Sequence, residues 1–294
     1  MDTPATARFA PLFLSHGSPM TALEPREAGA FMRHLGEVLV RTQGQPRAVL
    51  AISAHSLTRE PVLLAAPRHE AVYDFGGFDP RLYTLRYDAP GAPALAERVS
   101  ALLSQAGFPV HTVAEGGLDH GIWTPLRFAL PGADVPVLPL AWPPNWTPAQ
   151  LFALGQALAP LADEGVLIVG SGSITHNLRR VFAGGGLHPP ERPATPESSA
   201  FRAWFEARGA AGDWAALLDW KARAPHATLM HPTDEHLLPY FVAAGAGGRL
   251  PALRIHESLV FGDLGMDAYA FGPAAPALQA ALEAPGGVRD SAPA

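Results

Sequence analysis

The sequence predicts an α/β protein with a central mixed or mostly parallel sheet and helices on both of its faces. Short apolar runs of strand length alternate along the chain with stretches whose apolar residues recur at helical spacing. The 29 glycines and 31 prolines punctuate these segments instead of gathering into low-complexity stretches. No internal repeat and no long linker divides the 294 residues, which lie within reach of one large α/β domain. The expectation is therefore a single domain over 1–294, with its core at about 11–272.

The elements follow in order. Pro11–Ser15 reads as a buried strand that ends on Ser15-His16-Gly17-Ser18-Pro19. Glu27–Val40 carries Phe31, Leu35, Val38 and Leu39 on one helical face. Ala48–Ser53 and Val62–Ala66 are short apolar runs, and a long loop rich in Tyr, Phe, Gly and Asp follows. Ala92–Gln105 reads as a helix with Gly107 as its C-terminal stop. Val110–Val113, Val135–Leu140 and Val166–Val169 are further strands, with a Pro-started helix at Pro148–Leu161 between the last two. Gly184–Pro196 is a loop or excursion. Beyond it come helical stretches around Trp204 and Leu217, a helix starting after Pro232, and a strand at Ala252–Leu259. The last ten or so residues read as a frayed tail.

Composition removes several function classes. A net charge of -6 provides no basic footprint for nucleic acid. With no cysteine, thiolate zinc sites, iron–sulfur clusters, disulfides and cysteine nucleophiles are all excluded. The N-terminal residues lack the apolar stretch of a signal peptide, and no apolar run approaches the ~20 residues of a membrane span. A cytoplasmic protein with no membrane partner is the expectation.

The conspicuous feature is the placement of five of the 12 histidines. His16 and His55 follow strands directly, and His176 comes just past Val166–Val169. His120 sits in a Gly-rich turn after Val110–Val113, and His231 immediately precedes the Pro232 helix. Open α/β sheets bind ligands beyond the carboxyl ends of their strands, so these five are expected to gather at one edge. The others, His34, His69, His111, His188, His226, His236 and His256, have no such context and read as structural or surface, with His236 and His226 the foremost exceptions. Imidazoles without thiolates suit zinc, iron, copper or nickel. An open catalytic site needs about three protein ligands, which leaves surplus histidines for proton transfer.

Other motifs fail their tests. Gly170-Ser171-Gly172-Ser173 lacks the G-x-S-x-G spacing of a nucleophile elbow. It reads instead as a tight turn whose glycines admit a ligand. No phosphate-binding G-x-x-x-x-G-K-[ST] and no H-E-x-x-H occurs.

The segments FLSHGSPM, YDFGGFDPRLYTLRYDAPG, GLDHGIWTPLR, GSGSITHNLR and HPTDEHLLPYFVAAGA, in that order, resemble the class III extradiol ring-cleavage dioxygenases of the DOPA 4,5-dioxygenase type. The resemblance implies an α/β fold, one divalent metal ion per chain, and opening of a catechol ring beside its two hydroxyls by O2. The metal would be Fe(II) for oxygen chemistry, or Zn(II) as isolated. It further implies that His16, His55 and His231 are the metal ligands, that His176 lines the site and is a possible fourth, and that His120 is the acid/base histidine, with His176 its partner in proton transfer. Tyr73, Phe75, Phe78 and Tyr83 form an aromatic loop that either covers the substrate or packs on the core. Ser56 departs from the tryptophan common in the family after the second ligand, and Asp234 from a common proline. The alternative is a zinc hydrolase in which the same histidines activate water.

Overall fold

A computed structural model describes residues 8–183 and 188–284. Most of the expected tail and residues 184–187 lie outside the described residues. One sheet contains eight strands: β1 Leu12–Ser15, β2 Ala48–Ser53, β3 Val62–Leu64, β4 His111–Val113, β5 Val137–Ala141, β6 Val166–Gly172, β7 Leu253–His256 and β8 Ala268–Ala270. Their spatial order is β4-β3-β5-β2-β6-β1-β8-β7. The four central strands, β5, β2, β6 and β1, are parallel. On one side β3 runs antiparallel to β5 and carries β4 parallel to itself; on the other, β8 runs antiparallel to β1 and β7 antiparallel to β8.

The central strands are buried on both faces, as their continuous apolar sequences require. Alternation distributes them between two cores. Leu50, Ile52, Leu138 and Ile168 face one, and Val49, Ala51, Val137 and Leu167 the other. The longer helices are α1 Arg26–Gln43, α2 Pro93–Gln105, α3 His120–Ala129, α4 Pro148–Leu158, α5 Pro196–Ala210, α6 Pro239–Ala246 and α7 Ala275–Glu283. Side chains of α2, α4, α5 and α6 enter the first core, and those of α1, α3 and α7 the second. Helices α4 and α6 touch backbone to backbone. A Cβ at Gly155 would run into the carbonyl of Val242, and one at Gly245 into that of Phe152. Among the described residues no helix is long and apolar enough to cross a membrane.

Several boundaries differ from the sequence reading for identifiable reasons. The Pro148–Leu161 helix ends at Leu158, because Pro160 cannot donate into it and starts a separate turn, Pro160–Asp163. The helix expected after Pro232 begins only at Pro239. The intervening stretch is made of turns, with the N–H groups of Leu237 and Leu238 both donating to the Asp234 carbonyl. Helix α3 starts at His120 itself, within the stretch read as a Gly-rich turn. Strand β6 runs on through Gly170 and Gly172, so the glycine run is strand and not turn.

Candidate metal centre

The register of the parallel strands places Ser15 beside Gly172 and Ser53 beside Ser171, so β1, β2 and β6 end together. His16, His55 and His176 leave the sheet at this edge, as expected. His120 arrives by another route. Strand β4 runs opposite to the central four, so its end points away from the edge, and the chain returns alongside residues 70–72 before α3 begins with His120. The rings of His16 and His55 are 5.0 Å apart, those of His55 and His120 4.1 Å, and those of His16 and His120 5.3 Å.

The fifth member is His236. Its ring lies 5.5 Å from that of His16 and 5.0 Å from that of His55, and it stacks on His176 at 3.5 Å. Glycines in β6 make this possible. A Cβ at Gly170 would strike the Pro239 carbonyl and one at Gly172 the His236 carbonyl. The segment carrying His236 thus lies directly on the strand, and the Ser173 N–H donates to the His236 carbonyl at 2.8 Å.

His231 is not brought to the group. It ends the one-turn helix Ala227–Met230, with its ring against Phe201 and Trp220, and its Nε2 donates to the Ile174 carbonyl at 2.7 Å. The resemblance implied His231 as third ligand, and the reading of Pro232 as a helix start brought it to the same edge. Because the helix starts at Pro239, the histidine five residues later reaches the cluster instead. His16, His55 and His236 each offer a ring nitrogen within 4.8 Å of the others.

Hydrogen bonding shows which nitrogens are free. The Ser171 hydroxyl donates to the Gly121 carbonyl, so its oxygen must accept from His16 Nδ1, 2.9 Å away. His16 therefore carries its hydrogen on Nδ1 and a lone pair on Nε2. His55 Nδ1 faces Asp74 Oδ2 at 3.4 Å, and His236 Nδ1 faces Glu235 Oε1 at 3.0 Å. Carboxylates accept, so His236 leaves Nε2 bare, and His55 does so when its hydrogen lies on the Asp74 side. The Nε2 atoms of His16 and His55 are 3.1 Å apart. That contact is satisfied by a hydrogen shared between the two nitrogens, or by a cation held by both in its place. This donor set, with each outer nitrogen tied to an acceptor, fits a divalent metal ion.

Electrostatics keeps the rings neutral. Burial, reinforced by the neighbouring histidines, pushes His16 and His236 well below the ordinary histidine value. Burial and then His120 bring His55 to about 4, and burial and then His231 bring His176 to about 3. A neutral imidazole is the form that ligates a metal.

Sequence reading missed Asp74. Its two oxygens accept from His120 Nδ1, each at 3.0 Å, and Oδ1 also accepts from the His120 backbone N–H at 2.9 Å. Asp119, the sequence neighbour of His120, turns away and accepts from the hydroxyls of Ser53 at 2.7 Å and Ser56 at 2.6 Å. Burial raises the Asp119 pKa against the pull of those two hydroxyls. Ser56 thus serves a buried carboxylate at the position where the family commonly has tryptophan.

The aromatic loop packs on the core, and its Phe75 reaches the histidine group. Phe75 meets the His120 ring edge-on at 5.7 Å. Tyr73, Phe78 and Tyr83 pack behind it at ring distances of 6.1, 5.6 and 5.4 Å. The Tyr73 hydroxyl donates to the Leu85 carbonyl and that of Tyr83 to the Phe75 carbonyl, which closes the loop on itself.

A cluster of buried histidines at the carboxyl edge of the parallel strands suits a metal-dependent α/β enzyme. Residues 11–272 match the family described as the catalytic LigB subunit of aromatic ring-opening dioxygenase, and the chain belongs to that family. It is 39% identical over 262 residues to the 4,5-DOPA dioxygenase extradiol of Beta vulgaris, covering 88% of this chain and 95% of that one. It is 35% identical over 275 residues to the Escherichia coli (strain K12) protein of the same name, covering 89% and 94%. The crystal structure of an uncharacterized Escherichia coli K12 protein superposes with a TM-score of 0.71 at 30% identity, over 90% of this chain and all of that one. The protein is therefore an extradiol aromatic ring-opening dioxygenase, and the hydrolase alternative falls away.

Proposed function

We propose that the protein opens the ring of a catechol bearing a side chain, DOPA or a related phenol, at one divalent ion held by Nε2 of His16, His55 and His236. The observation that carries the reading is the convergence of His16, His55 and His236, each with a ring nitrogen within 4.8 Å of the others and with Nδ1 facing Ser171, Asp74 and Glu235 respectively. Three ligands leave room for two adjacent ring oxygens and O2. An Fe(II) ion supplies the path for electrons from the ring to oxygen, and Zn(II) suits the same nitrogens.

The chain's own residues do the rest. Phe75 offers an aromatic wall beside His120, against which a planar ring packs. His120 holds a hydrogen on Nδ1 through Asp74, so Nε2 is the nitrogen that takes a phenol proton and later returns it. His176, face to face with His236, is the second proton carrier at the opposite side of the ligand group. The loop closed by Tyr73 and Tyr83 covers this side of the site against water.

Anaerobic loading with Fe(II), addition of catechols with and without side chains, and then admission of O2 tests the reading. Oxygen uptake with a yellow ring-opened semialdehyde is the expected result. An iron-loaded enzyme that consumes no O2 with any catechol of the panel overturns it.

A further inference from the structure

We propose that Asp74 is the positioning residue of the acid/base histidine, its carboxylate holding His120 in the Nδ1–H form while linking that ring to the metal ligand His55. The inference rests on the assignment of His120 made under Proposed function and goes beyond it by naming what sets that histidine's tautomer.

The geometry is specific to this side chain. Asp74 receives three contacts from His120, two from Nδ1 and one from the backbone N–H, and lies 3.4 Å from His55 Nδ1 through Oδ2. One carboxylate thus touches both a ring that holds metal and the ring that moves protons. Asp119, the other acid at hand, is unavailable because its two oxygens are occupied by Ser53 and Ser56. Asp119 occupies the N-cap position of α3 yet makes no side-chain cap. The first N–H of that helix is taken by Asp74, from a different segment. A negative charge there also suits the positive end of the helix.

The placement of Asp74 is built in. Its neighbours Tyr73 and Phe75 both pack on Trp123 of α3, at ring distances of 6.3 and 6.4 Å, and the Trp123 ring N–H donates to the Val72 carbonyl at 3.0 Å. The aromatic loop is therefore fastened to the helix that begins with His120, with the carboxylate between its two anchors. The side chain of Asp74 is 23% exposed, and that of His120 7%. Hydrogen bonds from His120 hold the Asp74 carboxyl below its usual value, although burial works the other way.

When His120 Nε2 takes a proton from a substrate hydroxyl, the ring becomes an imidazolium whose charge faces Asp74. The proton leaves again from Nε2, and Asp74 stays ionised throughout. Its role is to select the nitrogen and to favour the cation, not to accept the proton itself.

Asp74→Asn tests this, alone and combined with His120→Phe. On the zinc-loaded protein with 15N-labelled histidine, His120 is expected to show Nδ1–H in the wild type and to shift toward Nε2–H in Asp74→Asn. Metal stoichiometry at saturating zinc should be unchanged, with affinity lower by up to about 10–100-fold because Asp74 is also the outer partner of His55. On the iron-loaded enzyme, kcat should fall by roughly 10²–10⁴ with KM within about threefold, the scale of a misplaced acid/base group. In the His120→Phe background the same substitution should cost less than about threefold more, because the group it positions is gone. Losses that multiply in full, an unchanged tautomer, or loss of metal from Asp74→Asn at saturating zinc overturns the proposal. If Asp74→Asn does not fold, Asp74→Glu decides: the carboxylate should preserve the Nδ1–H form, and a switched tautomer with metal retained counts against the idea. A wild-type enzyme inert toward catechols sinks the proposed reaction instead, and the zinc-protein spectra still decide the tautomer.

Discussion

Two histidines five residues apart, His231 and His236, have opposite tasks. His236→Ala removes a proposed ligand nitrogen and should lower metal affinity by more than the ~10–100-fold that losing an outer partner costs. His231→Ala should leave stoichiometric metal but destabilise the fold by about 2–5 kcal/mol, because it empties a buried site and leaves the Ile174 carbonyl without its donor. Metal analysis and denaturant unfolding of the two variants separate the tasks; metal loss from the His231 variant with retention in the other reverses the assignment. Nearby, Ser53→Ala withdraws a hydroxyl from the buried Asp119 carboxylate and should cost about 1.5–3 kcal/mol, read as a lower unfolding midpoint. The strand-end histidines were legible because strand ends advertise themselves in sequence. His236 was not, since a turn of several residues cannot be told from a helix start when Pro232 and Pro239 both offer one. Asp74 was hidden because its partner is 46 residues away.

Among the elements, β6 carries the least obvious design. Gly172→Ala would put a methyl group into the His236 carbonyl. It should push that segment off the strand, weaken metal binding, and destabilise the protein by about 1–3 kcal/mol as overpacking does. Calorimetry with and without metal checks both effects, and an unaltered metal affinity would mean that His236 tolerates the shift. The sequence reading recognised that the glycines of GSGS admit something close. What they admit is the backbone that carries a ligand, and that needs the pairing of β6 with residues 236–239, which no local pattern encodes. The parallel strands and the longer helices of the first 160 residues were readable from period alone. Ala268–Ala270 and α7 were not, because a three-residue strand and an Ala- and Pro-rich helix carry little periodicity. The direction of β4 was equally out of reach, since alternation reveals a strand but not its sense.

At the scale of the whole molecule, the buried neutral histidines tie stability to pH. His231 has its value pushed down to about 4 by burial, against about 6.5 in an unfolded chain. Below about 6.5 the unfolded state binds protons that the native state refuses, so stability falls as pH drops toward 4 and is full above that window. For His231 alone the loss is of order 3 kcal/mol, and His16, His176 and His236 act in the same direction. The unfolding temperature of the metal-free protein should decline steeply between pH 6.5 and 4, and a flat profile there would mean that these rings accept protons in place. The sheet order also dictates when the protein can become itself during synthesis. β1, made first, fits between β6 and β8, which are made far later. On the ribosome the leading strand must wait for β6 on one edge and, until the chain is nearly complete, for β8 on the other. Such high contact order slows folding and leaves a sticky edge in the interval. The last of the three histidines proposed to hold the metal, His236, is also made late, so the site is complete only after most of the chain has been synthesised.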